Sequence, residues 1–329
     1  MIFKANWEKT EENHRLPSHT VEEMIELIYP GKTLISFELI SGGCANINFN
    51  IRLQGIDEPL ILRIYLRDKD AAYREQKLAN LLCQSIPVPK VHNIGDFQGF
   101  RFGIVKHIPG ITLRELMLSG LPHDLNGIMF TVGQLLSRIT SHKFPKAGFF
   151  DKELNVSTVN SQGDYQIFAR ECLKSQIVLT QLDSEMISKI CLYINKYHYL
   201  YPDGSERNLV HADFDPANIL VDQTSGQWRV SGILDWEFSF SGSVLCDVAN
   251  MLRYAHQMPQ AFEYSFLEGL KAGGVCLPEN WKMRIHMLNL LSLLDCLARG
   301  NPIHRPNQCI DICELIDYIL KYLNNEIEH

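Results

Sequence analysis

The sequence has little of what marks membrane, secreted or nucleic-acid-binding proteins. No apolar run approaches the ~20 residues that a membrane-spanning helix needs. The N-terminal stretch MIFKANWEKTEENHRLP is too polar for a signal peptide. No cluster of lysine and arginine stands out, and the formal net charge is -7. We therefore expect a cytoplasmic protein that binds neither a membrane nor nucleic acid.

The nine cysteines follow no disulfide or metal pattern. Their number is odd, no two form a CxxC pair, and Cys309 and Cys313 have no neighbouring histidine or cysteine to complete a metal set. We predict reduced thiols. With 329 residues, 46% of them apolar, the chain can bury a large core without disulfides. This length favours two domains or lobes.

The spacing of apolar residues divides the chain into a β-rich part and a helical part. In the first part it predicts helices over 18–29 and 69–85, an extended segment over 86–95, and strands over 34–40, 47–53, 60–66 and 100–108. Pro109 and Gly110 then interrupt the pattern. Beyond them we predict one strand pair, 218–221 and 228–235, and helices over 112–119, 123–142, 164–182, 184–200, 244–256, 260–272, 279–299 and 308–325. The expected fold class is α+β.

A glycine turn joins the first two predicted strands. Ser41, Gly42 and Gly43 form it. Because glycine has no side chain, the backbone N–H groups of such a turn can approach phosphate oxygens closely. An ordinary structural turn is the alternative interpretation.

Arg63 lies inside an otherwise apolar strand. A charge in that position needs a partner, and Glu75 on the following helix is the candidate. The pair is either an ion pair that stabilises the lobe or a cation held in place to bind nucleotide phosphates.

The stretch HADFDPANIL, residues 211 to 220, carries the most specific pattern. It has the form H-x-D-x-x-x-x-N, made by His211, Asp213 and Asn218, and a further acid, Asp235, follows the next strand. Protein kinases use the same interval between a catalytic aspartate and a magnesium-binding asparagine, followed by a metal-binding aspartate. Carboxylate and amide oxygens are the ligands that Mg²⁺ prefers. In the alternative interpretation Asp213 and Asp215 cap turns and Asn218 begins a strand.

These features in this order resemble the aminoglycoside phosphotransferase family, a branch of the protein-kinase-like fold that phosphorylates small molecules. The resemblance covers residues 34 to about 256, and its most specific parts are the loops 211–218 and 235–237. It implies a bilobal protein. Residues 1–108 form a nucleotide-binding lobe with a five-stranded antiparallel sheet and one main helix. Residues 109–329 form a mostly helical lobe with the catalytic loop and the acceptor site.

The resemblance also implies a role for each matching residue. Asp213 is the catalytic base or positions the acceptor hydroxyl, while Asn218 and Asp235 bind Mg²⁺. Arg63, held by Glu75, contacts the α and β phosphates. The remaining implied roles are phosphate cover by Ser41, Gly42, Gly43 and Asn46, adenine binding by the carbonyl of Lys106 and the N–H of Ile108, anchoring of the catalytic loop by His211, and bracing of that loop by Asp247. Many kinase-like enzymes have lysine in place of Arg63, whose larger fork changes the phosphate geometry.

Candidate acceptor-binding residues come from two acidic stripes in the helical part. Asn289, Ser292, Asp295 and Arg299 fall on one stripe of helix 279–299. Asp295 either holds an acceptor amine or belongs to a solvated face. Asp311, Glu314 and Asp317 form a second stripe, which we interpret as solvated. Glu237, beside the metal site, contacts metal-bound water or the acceptor, or else forms a structural salt bridge.

The sequence thus predicts an ATP- or GTP-dependent, Mg²⁺-requiring kinase, monomeric or homodimeric. Its acceptor is the hydroxyl of a small molecule, either aminoglycoside-like or another amino alcohol or sugar. Two alternatives stay open. A protein kinase is disfavoured because the D-F-G and A-P-E segments are absent and DWE stands in place of D-F-G. A catalytically silent nucleotide-binding protein is disfavoured because Asp213, Asn218 and Asp235 are all present.

Overall fold

The computed structural model describes residues 3–8, 16–40, 46–157 and 165–325. The β-rich part contains β1 (Leu34–Leu39), β2 (Asn46–Leu53), β3 (Leu60–Tyr65), β4 (Val91–Phe97) and β5 (Phe100–Lys106). These strands form one antiparallel sheet in the order β1-β2-β3-β5-β4. Successive side chains in a strand point to opposite faces, and the alternate residues Ile47, Phe49 and Ile51 of β2 are accordingly buried.

Two helices accompany this sheet. α1 (Ser18–Ile28) contributes Val21 and Met24 to the apolar core of the sheet. α2 (Ala71–Leu82) packs Ala71 against Tyr65 at the end of β3, while its Leu78 lies in the core of the helical part. α2 therefore connects the two lobes, and it brings its polar face to the middle of β3.

The connection between the lobes passes through Pro109 and Gly110. Gly110 has a φ of +127°, and a Cβ built on it would lie 2.4 Å from the backbone oxygen of Val221. Only glycine fits this close approach. It lets the short strand β6 (Ile111–Thr112) pair with β9 (Ile219–Thr224), so the hinge is fixed against the strand that follows the catalytic loop.

The second lobe is mainly helical. Its helices are α3 (Leu113–Ser119), α4 (Leu125–Thr140), α5 (Tyr165–Leu173), α6 (Gln176–Gln181), α7 (Ser184–Lys196), α8 (Leu245–Leu252), α9 (Gln260–Ala272), α10 (Trp281–Ala298) and α11 (Pro306–Asn325). Its further strands are β7 (Gly148–Phe149), β8 (Asn208–Val210), β10 (Gln227–Ile233) and β11 (Phe240–Gly242). Among the described residues, no helix is both long and apolar enough to cross a membrane.

Two predicted helices differ from the structure, and four short strands were not predicted. The helix predicted over 164–182 is two helices, because Ser175 adopts an extended backbone before α6 and its hydroxyl donates to the carbonyl of Ala298. The helix predicted over 244–256 ends at Leu252. The strands β6, β7, β8 and β11 have only two or three residues, which are too few to show a period-two pattern.

The first described residues belong to the helical lobe rather than to the predicted lobe 1–108. Phe3 is 1% exposed and lies in the core of the helical lobe, edge-on to Tyr254 with ring centroids 4.9 Å apart. The indole N–H of Trp7 donates to Asp311 of α11 at 2.7 Å. The segment lies on this lobe because the lobe buries the Phe3 ring and supplies an acceptor for the Trp7 indole.

Candidate active site

Arg63 lies at the centre of a cluster of carboxylates between the lobes. Its guanidinium is 3.1 Å from the Glu75 carboxylate on α2 and 2.5 Å from the Asp235 carboxylate of the helical lobe. The Glu237 carboxylate is 3.8 Å away. Burial disfavours the charge of Arg63, but these carboxylates outweigh burial and raise its pKa well above the usual value. Arg63 therefore stays charged, and Glu75 holds it as predicted from the spacing of β3 and α2.

The carboxylates of this cluster outnumber its cation. Burial raises the pKa of Glu75, although Arg63 opposes the shift. Burial, together with the charge of Asp235, raises the pKa of Glu237 to about 7. The Oε1 atom of Glu237 is buried without a hydrogen-bond donor. The cluster thus carries an excess of negative charge that a further cation would offset.

The hairpin of β9 and β10 brings Asn218 to Asp235. The two strands are antiparallel, and their last paired residues are Ile219 and Ile233. The residues just outside that pair therefore meet at one end of the hairpin, where the N–H of Leu234 donates to the carbonyl of Asn218 at 2.8 Å. Asp235 has a φ of +65°, a left-handed conformation that aspartate tolerates better than most residues and that turns the chain after Leu234.

Asn218 also contacts Asp213. Its amide nitrogen donates to the backbone carbonyl of Asp213 at 2.9 Å and to the Oδ2 atom at 2.8 Å. This use of the nitrogen leaves the amide oxygen of Asn218 and the Oδ1 atom of Asp213 for other ligands. Burial raises the pKa of Asp213 to about 6, and the neighbouring charge of Asp215 adds to the increase.

Buried residues behind Asp213 fix the loop. The Asp247 carboxylate accepts hydrogen bonds from the backbone N–H groups of His211 and Ala212, both at 2.8 Å. The carbonyl of Ala212 accepts from the Asn250 side chain at 2.7 Å. Ala212 has a φ of +72°, which is strained for a residue with a Cβ. The contacts on both sides of Ala212 hold it in this conformation.

His211 is wholly buried and links the loop to the strand before Asp235. Its Nδ1 atom accepts from the N–H of Asp213 at 3.2 Å, so Nε2 carries the proton and donates to the carbonyl of Leu234 at 2.8 Å. Burial lowers the pKa of His211 to about 4. A histidine that is neutral and hydrogen-bonded at both ring nitrogens positions the loop rather than carrying protons.

The donor atoms at this site fit a magnesium ion. Asn218 supplies an amide oxygen and Asp235 a carboxylate, the hard oxygen ligands that Mg²⁺ takes. Within the described ranges, no group of three or more His, Cys, Asp and Glu side chains is arranged to hold a metal. This agrees with the way Mg²⁺ binds in phosphoryl-transfer sites, through one or two carboxylates together with substrate phosphates and water.

Other predicted nucleotide contacts are placed only in part. Ser41, Gly42 and Gly43 lie outside the described residues. Asn46 is the first residue of β2 and pairs with Tyr65 of β3, which lies two residues after Arg63 on the same strand. Lys106 ends β5, and Ile108 lies at the hinge, where its side chain packs against Gly232. Both stand on the connection between the lobes.

The first acidic stripe does not converge on Asp213. Asn289 is 2% exposed and accepts from the Arg253 guanidinium at 2.9 Å, and Ser292 accepts from the same guanidinium at 3.1 Å. Asp295, farther along α10, forms an ion pair with Arg299. The stripe is therefore part buried network and part surface ion pair, and the structure does not bring Asp295 to the catalytic loop.

The interpretation of the second acidic stripe as solvated is wrong for Asp311 but holds for Glu314, which is exposed. Asp311 is 6% exposed, and it accepts hydrogen bonds from Trp7 and from the hydroxyl of Tyr254. Asp317, by contrast, forms an exposed ion pair with Lys321 at 2.6 Å. Helical spacing shows which residues share a stripe, but the direction of the stripe depends on the elements that pack against it.

Sequence reasoning also missed two cations at the site. Arg74 of α2 donates to the backbone carbonyl of Glu237 at 3.0 Å, which ties the loop after Asp235 to the sheet lobe. Lys4 forms an ion pair with Asp215 at 2.6 Å. Its position 211 residues before Asp215 leaves no local pattern that would reveal the pair.

Comparison with known proteins identifies related sequences. Residues 36–281 match the model of the phosphotransferase enzyme family, APH. Acyl-CoA dehydrogenase family member 11 of Homo sapiens is 27% identical over 192 residues, which make up 55% of this chain and 22% of that protein. Hygromycin-B 4-O-kinase of Escherichia coli is 22% identical over 171 residues, 51% of this chain and 48% of that protein. The chain therefore spans less than half the length of either curated relative.

Solved structures share the fold. A thermostable mutant of the aminoglycoside phosphotransferase APH(4)-Ia, in a ternary complex with AMP-PNP and hygromycin B, has a TM-score of 0.69 at 19% identity, covering 92% of this chain and 98% of that one. The microcompartment-associated aminopropanol kinase has a TM-score of 0.67 at 15% identity, covering 93% and 98%. These likenesses confirm the predicted α+β, protein-kinase-like fold.

Proposed function

Because the chain belongs to the phosphotransferase enzyme family, we propose that it is a kinase that transfers the γ-phosphoryl group of ATP or GTP to a hydroxyl of a small molecule. The names of its relatives include kinases of hygromycin B and of aminopropanol, so sugars and amino alcohols are the acceptor classes to test first. The predicted requirement for Mg²⁺ is part of the same proposal.

One observation carries this proposal. Asn218 contacts Asp213, and its backbone carbonyl accepts from Leu234, the residue before Asp235. Asp235 in turn contacts Arg63, a cation held by Glu75 of the other lobe. Phosphoryl transfer asks little covalent chemistry of a protein; it needs a positioned hydroxyl and groups that offset the charge of the phosphates. This arrangement supplies both at the junction of the lobes.

Nucleotide binding would use the β-rich side of the junction. Arg63 faces the α and β phosphates, and Asn218 and Asp235 hold Mg²⁺, which supplies charge neutralisation for the transferred group. The turn Ser41–Gly43 with Asn46 covers the phosphates. The hinge holds adenine through the carbonyl of Lys106 and the N–H of Ile108. Glu237, buried beside Arg63, adds negative charge on the metal side of the site.

Asp213 would orient the acceptor hydroxyl. Its Oδ2 atom is fixed by Asn218, so the Oδ1 atom is the one that accepts a hydrogen bond from the hydroxyl. Fixing the carboxylate contributes to the rate because a hydroxyl held in line with the phosphorus needs no further ordering. With its pKa raised to about 6, Asp213 is ionised at neutral pH and can also take up the proton of the hydroxyl.

The test is a screen of Mg²⁺-dependent phosphoryl transfer from radiolabelled ATP and GTP. The panel contains sugars, polyols, amino alcohols and aminoglycosides. On any acceptor that is phosphorylated, we expect Asp213→Asn to lower kcat by about 100-fold or more, since it removes the positioning carboxylate. Asp203→Asn is the matched control, because Asp203 is an exposed loop aspartate, and its activity should equal that of the parent.

Two results would contradict the proposal. If Asp213→Asn transferred phosphate as fast as the parent, Asp213 would not be the residue that positions the hydroxyl. If the protein bound Mg·ATP but phosphorylated no member of the panel, the catalytically silent alternative would be favoured instead.

A further inference from the structure

The ammonium group of Lys4 binds Asp215, which follows the proposed hydroxyl-positioning Asp213 by two residues. Its Nζ atom is 2.6 Å from the Oδ2 atom of Asp215, and the side chains are only 12% and 3% exposed. The other carboxylate oxygen of Asp215 accepts from the N–H of Ala217 at 2.7 Å. Although burial opposes it, Lys4 holds the pKa of Asp215 below its usual value.

Two aromatic rings complete the surroundings of this ammonium. The Nζ atom of Lys4 lies 5.1 Å from the ring centroid of Trp7 and 6.0 Å from that of Tyr254. A carboxylate with aromatic rings around it is the chemistry by which proteins bind ammonium ligands. Asp215 and Tyr254 therefore form an ammonium site, and this chain fills it with its own lysine.

The segment Phe3–Glu8 is attached to the lobe at several points. Phe3 is buried in the core, and the Glu8 carboxylate accepts from the backbone N–H groups of Asn307 and Gln308 at the start of α11. Arg114 of α3 donates its side chain to the carbonyl of Lys4 at 2.7 Å and its N–H to the carbonyl of Pro216 at 3.0 Å. These contacts tie the segment directly to the catalytic loop.

The backbone of Lys4 supports a specific role for this placement. Lys4 has a φ of +54°, an uncommon conformation for a residue with a long side chain. Such conformations persist only where surrounding contacts impose them. Here the imposing contacts are those of Phe3, Trp7 and Arg114 on either side of Lys4.

The ion pair of Lys4 lies on the catalytic loop itself. Asp215, its partner, follows Asp213 by two residues, whereas Asp235 is bound to Arg63. Asp215 is therefore the carboxylate of the catalytic loop that an acceptor amine could use. Lys4 neutralises this carboxylate. An acceptor amine that approached Asp213 from the helical lobe would meet an occupied carboxylate and a positive charge.

We propose that Lys4 is a specificity-determining residue: its ammonium occupies the place beside Asp213 that a cationic acceptor would need, so the acceptor is a neutral sugar or polyol. This inference rests on the proposed function, because it names the acceptor class of the same site. Asp311 is 6% exposed, and its Oδ2 atom accepts from both Trp7 and Tyr254, so it is a poor substitute anchor.

The first experiment compares matched acceptors that differ in one amine. The pairs are glucose and glucosamine, and propane-1,2-diol and 1-amino-2-propanol. For the parent we expect kcat/KM to be at least about tenfold higher for the neutral member of any pair that is phosphorylated. Lys4→Gln should reduce or reverse this ratio, mainly through the KM of the amine. Lys77→Met, which removes a half-buried lysine paired with Glu153, should leave the ratio unchanged.

The second experiment needs no turnover. Lys4→Ala leaves a cavity beside Asp215, and n-propylammonium chloride should fill it and raise the melting temperature by about 2 °C or more. The parent should show no such shift, nor should Lys4→Ala combined with Asp215→Asn, when equal concentrations of sodium chloride serve as the reference. Lys4→Ser provides a second cavity variant should the alanine variant not fold.

The outcomes separate this inference from the proposed function. A parent enzyme that prefers the amine of a pair, or a Lys4→Gln variant with an unchanged ratio, overturns the role of Lys4 while kinase activity stands. An equal propylammonium shift in parent and cavity variants, or none in either, also overturns it. If the parent phosphorylates no acceptor, the proposed function fails, and the propylammonium experiment still decides whether Lys4 fills an ammonium site.

Discussion

The two flanks of Asp213 balance their charges in opposite ways. We call Arg63, Glu75, Asp235 and Glu237 the nucleotide flank, and Lys4, Trp7, Asp215, Tyr254 and Asp311 the acceptor flank. On the nucleotide flank one guanidinium faces three carboxylates. On the acceptor flank each carboxylate has its own donors: Lys4 for Asp215, and Trp7 with Tyr254 for Asp311.

Under the proposed function, this difference separates a flank that takes a cation from outside from one that does not. The nucleotide flank carries an excess of negative charge, which a magnesium ion bound with its nucleotide would offset. The acceptor flank needs no further cation, since the chain supplies one itself. Carboxylates close to the proposed catalytic aspartate therefore do not by themselves indicate a polyamine substrate. Only a carboxylate without a cationic partner in the chain is available to bind an amine.

The largest expected effect separates the flanks directly. Asp235→Asn removes the charge of the proposed metal ligand, and we expect it to lower phosphoryl transfer by about 10²–10³-fold and to weaken the Mg²⁺-dependent binding of AMP-PNP. Asp215→Asn should leave AMP-PNP affinity within about twofold of the parent. Isothermal titration with and without Mg²⁺ measures both. Equal losses of nucleotide affinity in the two variants would show that the flanks are not distinct.

His211 joins the two flanks, and its protonation should couple to stability. Its pKa is about 4 in the folded protein and about 6.5 when unfolded. Between these pH values the unfolded state binds a proton that the folded state does not. The contribution of neutral His211 to the free energy of unfolding is therefore complete above pH 6.5 and is lost as pH falls toward 4. The loss amounts to about 3 kcal/mol. Urea unfolding of the parent and His211→Gln across this range measures it.

A second histidine provides the control for that experiment. Burial also lowers the pKa of His286, on α10, to about 4. His286→Gln should remove a similar part of the pH dependence while leaving the catalytic loop intact and AMP-PNP affinity unchanged. A His211→Gln variant with the parent's full pH dependence would show that His211 is not held neutral by the loop.

The catalytic loop and the nucleotide flank were more accessible to sequence reasoning than the acceptor flank. His211, Asp213 and Asn218 lie within eight consecutive residues, so a single loop reveals them. Arg63 was found because a charge inside an apolar strand needs a partner, and α2 follows β3 closely enough to supply Glu75. The family resemblance added Asp247, whose hydrogen bonds to the loop the structure shows.

The acceptor flank depends on tertiary packing that no local pattern encodes. Asp311 lies on a stripe whose spacing is the same whether the stripe faces solvent or protein. Asp311 is buried because α11 turns it toward Trp7. Lys4 resembles any exposed lysine near a chain terminus. Asp295 is the reverse case: its stripe is partly buried, yet its own partner is Arg299 at the surface, in agreement with the solvated alternative.

A smaller effect tests the geometry of Arg63. Arg63→Lys keeps the charge but loses the planar guanidinium, whose Nη2 atom contacts both Glu75 and Asp235. We expect the KM for ATP to rise about tenfold, with the KM for the acceptor unchanged. Steady-state kinetics with each substrate varied in turn measures this. A change confined to the KM for the acceptor would contradict the assignment of Arg63 to the nucleotide flank.

The smallest effect concerns the N-terminal segment. Trp7→Phe removes the hydrogen bond to Asp311 but leaves the one from Tyr254. We expect a loss of about 1 kcal/mol in the free energy of unfolding and no change in AMP-PNP affinity. Urea titration and calorimetry measure the two quantities. A weaker nucleotide complex in this variant would mean that the acceptor flank contributes to nucleotide binding.

The most direct test of the central claim is a crystal structure with Mn²⁺ and AMP-PNP, in which anomalous scattering locates the metal. We predict a manganese peak within about 2.5 Å of the Asn218 amide oxygen and the Asp235 carboxylate, with the γ-phosphate turned toward Asp213. A peak beside Asp215 and Asp311, or a γ-phosphate directed away from Asp213, would contradict the account.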